Sequence, residues 1–206
     1  MNPRIKICGI KKPEDAFCCE ELGADAIGLV FYPPSPRNVS IDQAAEIASS
    51  LPPFLTAVGL FVDPDETLVQ QVLQDVRIDC LQFHGVESND FCKQFARKWY
   101  KAIRAKSGVD LAAEAEKYPD SSAILVDSFN PGVAGGTGET FVWNRLPDEF
   151  NKPLILAGGL NAQNVKSAID KANPWAVDVS SGVESAPGVK DKKLIKEFVK
   201  AVKAND

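Results

Sequence analysis

Residues 4–15 read "RIKICGIKKPED", and the choice of fold turns on them. With a period of two, Ile5 and Ile7 fall on one side of a strand while Lys6 and Cys8 fall on the other. Pro13 then marks the first turn of a helix, where a missing N–H costs nothing. The unit is strand, turn, helix. A doubly wound dinucleotide-binding sheet would carry GxGxxG in that first turn, and "CGIKKPED" does not. The open sheet thus lacks its expected site, which leaves the closed (β/α)8 barrel as the architecture to test.

Moving outward, seven more β-type runs follow: "AIGLVF", "LTAVGLFV", "CLQFHG", "WYKAIRA", "AILVDS", "PLILAGG" and "WAVDVSSG". Helical segments separate most of them. Ser40 with Gln43 forms a capping box, and Asp63-Pro64 followed by Glu66 signals another helix start. In the last segment Leu194, Ile195, Phe198, Val199 and Val202 make an apolar stripe opposite lysines, so that helix is expected to pack on the sheet. After "AILVDS" the pattern breaks into the glycine-rich "NPGVAGGTGET", and the helix before Pro153 is expected to be short or absent. The 206 residues divide into eight units of about 26, compact but sufficient for a TIM barrel in one domain over 1–206.

The composition narrows the function classes. Cys8, Cys18, Cys19, Cys80 and Cys92 are odd in number and form no CxxC pair, which reads as reduced thiols in a cytoplasmic protein. The chain starts without an apolar leader core, and no apolar run approaches the ~18 residues of a membrane span, so neither secretion nor a membrane partner is expected. A formal charge of −5 argues against a nucleic-acid partner, which needs clustered Lys and Arg. The single histidine, His84, cannot anchor a recognisable zinc site without a cysteine cluster. Oligomeric state is not legible, and a monomer is the simpler expectation.

Catalytic groups of a barrel gather at the C-terminal ends of its strands. Those ends carry Cys8, His84, Asp127, Gly158-Gly159 and Ser180-Ser181-Gly182. If Ile5, Ile7, Val177 and Val179 face the helices, parity turns Lys6, Cys8, Gln82, His84, Asp178 and Ser180 into the barrel. Polar groups in a lumen cost free energy unless paired or used. Lys6 and Asp178 are therefore expected to pair across strands 1 and 8. The loops "LAGGLNAQN" and "VSSGVES" follow strands 7 and 8, where this fold binds phosphate. In them Gly158, Gly159 and Gly182 let backbone N–H groups approach an anion, and Ser180 and Ser181 add hydroxyl donors.

Taken together, "KICGI", "GLVFYPPSPRNVS", "VGLFV", "LQFHG", "VDS", "GGTGETFVW", "LAGGL" and "VDVSSGVES", in that order over nearly the whole chain, resemble the phosphoribosylanthranilate isomerase family. The resemblance implies a cofactor-free Amadori rearrangement of N-(5-phosphoribosyl)anthranilate in tryptophan biosynthesis, with Cys8 as general base and Asp127 as general acid. It places His84, Asp178 and the phosphate-loop residues against a phosphosugar substrate, and it leaves the anthranilate carboxylate to Arg37 in the proline-rich loop after strand 2. Lys6 and nearby helix N-termini are the expected means of easing ionisation of the Cys8 thiol. Another phosphosugar isomerase on the same barrel, or a non-catalytic phosphate-ligand binder, is the competing reading.

Overall fold

The computed structural model describes residues 2–127, 146 and 150–204. The glycine-rich stretch "NPGVAGGTGET", and the question of a helix before Pro153, lie outside these apart from residues 146 and 150–152. Eight parallel strands close into one barrel in sequence order: β1 (Arg4–Cys8), β2 (Ala26–Phe31), β3 (Thr56–Phe61), β4 (Cys80–Phe83), β5 (Lys98–Arg104), β6 (Ile124–Asp127), β7 (Leu154–Ala157) and β8 (Ala176–Val179). Closure is made by β8 on β1, where Ile5 opposes Val177 and Lys6 opposes Asp178. The helices are α1 (Pro13–Glu21), α2 (Ile41–Ser49), α3 (Glu66–Asp75), α4 (Asn89–Lys93), α5 (Leu111–Glu116), α6 (Val165–Ala172) and α7 (Lys192–Lys203). Among the described residues no helix is long and apolar enough to cross a membrane.

Strand parity divides the core in two. Ile5, Ile7, Leu81, Phe83, Val177 and Val179 join the layer beneath the helices, together with Ile195, Phe198, Val199 and Val202 of α7. Val58, Tyr100, Ala102, Leu125, Ile155 and Ala176 form a separate cluster, drawn from the opposite strand faces and so filling the lumen. The α7 stripe thus packs as its spacing predicts. Two carboxylates pin the lower rim: Asp25, just before β2, accepts from Ile5 N–H at 2.8 Å, and Asp79, just before β4, accepts from Ala57 N–H at 2.8 Å.

The capping box at Ser40 and Gln43 forms in both directions. The start of α3 differs from the sequence reading, because Asp65 caps it by accepting from Leu68 N–H. Asp63 lies instead in a left-handed turn, φ 47°, and its carboxylate accepts from Val86 N–H at 2.6 Å, fastening the loop after β3 to the loop after β4. A second difference follows β8. Ser181–Val183 is a single 3-10 turn that runs into a hairpin, β9 (Glu184–Ala186) and β10 (Val189–Lys190), before α7 begins. No long helix N-terminus therefore stands directly behind the strand 8 loop.

Candidate active site

Lys6 is 5% exposed, and its ammonium donates at 2.9 Å to Asp178 Oδ2 and at 2.9 Å to Gln82 Oε1. The pairing expected across strands 1 and 8 is present. Burial alone would pull the Lys6 pKa down, but the Asp178 carboxylate beside it carries it well above the ordinary lysine value. Gln82 Oε1 also accepts from Tyr100 OH at 2.9 Å, while Gln82 Nε2 lies 3.3 Å from His84 Nδ1. His84 Nε2 in turn lies 3.1 Å from Asp127 Oδ2. Five strands therefore contribute to one polar chain that crosses the lumen from Asp178 on β8 to Asp127 at the tip of β6. Asp178 Oδ1 is buried and has no hydrogen-bond partner among the described residues.

Cys8 sits one layer above Lys6, 6% exposed, against Val30 and Leu60. Burial pushes its thiol above the ordinary value; Lys6 pulls it down, Asp178 pushes it back up, and Lys190 pulls it down again. Lys6, with nearby helix N-termini, was expected to ease ionisation, but the outcome runs the other way because desolvation outweighs the pull of Lys6, whose charge is shared with Asp178. Space for the thiol comes from Gly28, its register partner on β2. A Cβ on Gly28 would stand 2.7 Å from Cys8 Sγ and 3.2 Å from Lys6 Cε. Gly28→Ala is expected to displace the thiol and lower kcat by roughly 100-fold, as an ångström-scale misplacement can. Circular dichroism will report whether the barrel itself is intact, and an unchanged kcat would show that the thiol's position does not matter.

The loops after β7 and β8 meet directly. A Cβ on Gly182 would lie 1.9 Å from the carbonyl oxygen of Leu160, so only glycine permits this approach. Gly158 and Gly159 both have positive φ, 89° and 65°. Ser180 spends its hydroxyl on the carbonyl of Cys8 at 3.0 Å, tying the end of β8 to the end of β1 rather than presenting that donor to an anion. Ser181 opens the 3-10 turn and is exposed.

Arg37 reaches over the first strand end, its Cδ within 2.6 Å of where a Cβ on Gly9 would be. Its guanidinium is held by both oxygens of Glu184, Nε to Oε1 at 2.8 Å and Nη2 to Oε2 at 2.6 Å. Glu184 also accepts from Lys190 at 2.7 Å. Burial would raise the Glu184 pKa, but the hydrogen bonds from Arg37 and Lys190 hold it below the usual carboxylate value. Sequence reading missed Glu184 and Lys190 because β9 and β10 have no period long enough to see. It also missed the buried pair Lys101 and Glu87, 3.1 Å apart. Glu87 accepts from Gly85 N–H and Asp63 N–H, and Lys101 donates to the carbonyls of Phe83 and Gly85. This clamp sets the chain on either side of His84.

A family model described as N-(5'phosphoribosyl)anthranilate (PRA) isomerase matches residues 5–201. The chain belongs to this family. N-(5'-phosphoribosyl)anthranilate isomerase of Stutzerimonas stutzeri is 51% identical over 201 residues, 98% of this chain and 97% of that protein. The crystal structure of phosphoribosyl anthranilate isomerase from Thermotoga maritima superposes with a TM-score of 0.90 at 42% identity, covering 98% of this chain and 99% of that one. A further isomerase structure, in complex with reduced 1-(o-carboxyphenylamino)-1-deoxyribulose 5-phosphate, superposes with a TM-score of 0.84 at 39% identity, over 98% of this chain and 99% of that one. For a phosphoribosylanthranilate isomerase, the residues gathered above the lumen are a thiol, a carboxyl with an imidazole beside it, and an arginine on the rim.

Proposed function

We propose that this isomerase rearranges N-(5-phosphoribosyl)anthranilate to 1-(2-carboxyphenylamino)-1-deoxyribulose 5-phosphate with Asp127 as general acid and Cys8 as general base, as one domain over residues 1–206. The observation that carries the assignment is the placement of Cys8 and Asp127 at the ends of β1 and β6, with Cys8 one layer above Lys6 and Asp127 joined to Lys6 through Gln82 and His84. Asp127 gives a proton to the ribose ring oxygen, the C1′–O4′ bond breaks, and the nitrogen lone pair makes a C1′=N iminium. The Cys8 thiolate then takes the C2′ proton. That electron pair forms C1′=C2′ while the iminium electrons return to nitrogen, and the enol relaxes to the ketone as C1′ gains a proton and the C2′ hydroxyl loses one. A buried neutral thiol suits this order, since the iminium cation formed beside it favours the thiolate when the base is needed. Asp178 Oδ1, without a hydrogen-bond partner among the described residues, would accept from an N–H or hydroxyl of the substrate.

The backbone of the two touching loops at Gly158, Gly159, Ser181 and Gly182, with the N–H of Ser180, would hold the phosphate. Arg37 would take the anthranilate carboxylate, exchanging part of its hold on Glu184, which keeps Lys190 as a partner. A monomer in the cytoplasm is part of the same proposal, and the free thiols of Cys8, Cys18, Cys19, Cys80 and Cys92 suit a reducing compartment. Arg37→Ala is expected to raise the KM for phosphoribosylanthranilate by an amount equivalent to about 1.5 to 3 kcal/mol, the worth of a charged hydrogen bond, while inorganic phosphate inhibits as before. An unchanged KM, or equal losses for both ligands, rejects the carboxylate role. The function as a whole is tested by complementation: the gene should restore growth without tryptophan to a strain lacking this isomerase. Soluble expression without rescue would contradict it.

A further inference from the structure

Gln82 is 1% exposed, and its amide stands between the two halves of the polar chain, Lys6 and Tyr100 on one side and His84 on the other. Its orientation follows from chemistry. Lys6 can only donate, so the Gln82 atom 2.9 Å from Lys6 Nζ must be the oxygen, and Tyr100 OH donates to the same atom. The amide nitrogen is thereby turned to His84 Nδ1, 3.3 Å away. An N–H facing Nδ1 requires a lone pair there. The imidazolium form would set two donors against each other. The neutral ring must then carry its proton on Nε2, the nitrogen 3.1 Å from Asp127 Oδ2.

We infer that Gln82 is a positioning residue that, locked by Lys6 and Tyr100, holds His84 as the neutral Nε2–H tautomer and so decides where the proton of Asp127 resides. An N–H directed at Oδ2 holds that oxygen as an acceptor, so that a proton delivered by Asp127 would come from Oδ1. If His84 carried its proton on Nδ1 instead, its bare Nε2 would accept from the acid and draw the proton away from the substrate. The wrong tautomer of a catalytic-site imidazole is costly even when geometry is kept. The inference rests on Asp127 being the general acid.

The chain has one histidine, so a long-range nitrogen–proton NMR spectrum of the imidazole needs no assignment. The wild-type protein should show a neutral ring protonated on Nε2 at neutral pH; a ring protonated on Nδ1, or an imidazolium, overturns the inference without help from any variant. Gln82→Glu keeps an acceptor for Lys6 and Tyr100 but presents an acceptor to Nδ1. Its ring signal should move to an Nδ1-protonated form, and kcat should fall by roughly 10- to 100-fold with little change in KM. A shifted tautomer with unchanged kcat, or a lowered kcat with the wild-type tautomer, rejects the positioning role. Asp127→Asn separates this from the reading beneath it: if that variant keeps its kcat, the acid assignment fails and the inference falls with it.

Discussion

Cys8→Ala and Asp127→Asn should each lower kcat by on the order of 100-fold or more while leaving KM close to the wild-type value. On the proposed roles, each change removes a group that transfers a proton. The alanine leaves a small space among Val30 and Leu60, and Lys6 keeps its bonds to Asp178 and Gln82. Asparagine preserves the shape of Asp127 and can still meet the N–H of His84 through its oxygen. Steady-state kinetics on both variants provide the check. A variant that keeps near wild-type kcat loses its assigned role, and a rise in KM without a fall in kcat would turn the residue into a binding group.

Asp178→Ala should destabilise the fold by roughly 3 to 5 kcal/mol, because it strands the Lys6 ammonium in the lumen. Among the described residues Lys6 then keeps Gln82 Oε1 as an oxygen acceptor, itself shared with Tyr100. The sign of the pH effect follows from the raised Lys6 pKa. The pair's contribution is fully present below the pKa that lysine has in the unfolded chain, and it is lost as pH rises through the higher folded value. Denaturant midpoints at neutral pH should therefore show the whole loss. Replacing both partners, Lys6→Met with Asp178→Leu, should recover much of the stability without recovering activity, since an apolar pair removes the stranded charge. If Asp178→Ala unfolds at the wild-type midpoint, the pair is not structural.

Much of this was readable in residues because it depends on local rules. The period of two in "RIKIC" and "AVDV" places Lys6 and Asp178 on interior positions, and barrel closure makes those positions neighbours. The stripe of α7 and the capping box of α2 are likewise set within a few residues. What was hidden depends on contacts between distant segments. Gly28 looks like any strand glycine until Cys8 Sγ is found in the space a Cβ would fill. Glu184 looks like a loop acid until Arg37, 147 positions away, closes on it. The direction of the Cys8 pKa was misread because a neighbouring lysine is visible in sequence, whereas the desolvation that outweighs it is a property of the closed barrel. Asp63 shows the same limit, since the helix signalled there does begin at Glu66 but is capped by Asp65, while Asp63 ties two loops together.

The most direct test follows the fluorescence of phosphoribosylanthranilate, generated in place, after adding purified protein with no other component. Fluorescence should fall in proportion to wild-type enzyme, with the carboxyphenylamino-deoxyribulose phosphate as the product, and should fall at least about 100 times more slowly with Cys8→Ala at equal concentration. Persistence of the signal with folded wild-type protein, or equal rates with and without the thiol, would contradict catalysis by Cys8 across the barrel from Asp127.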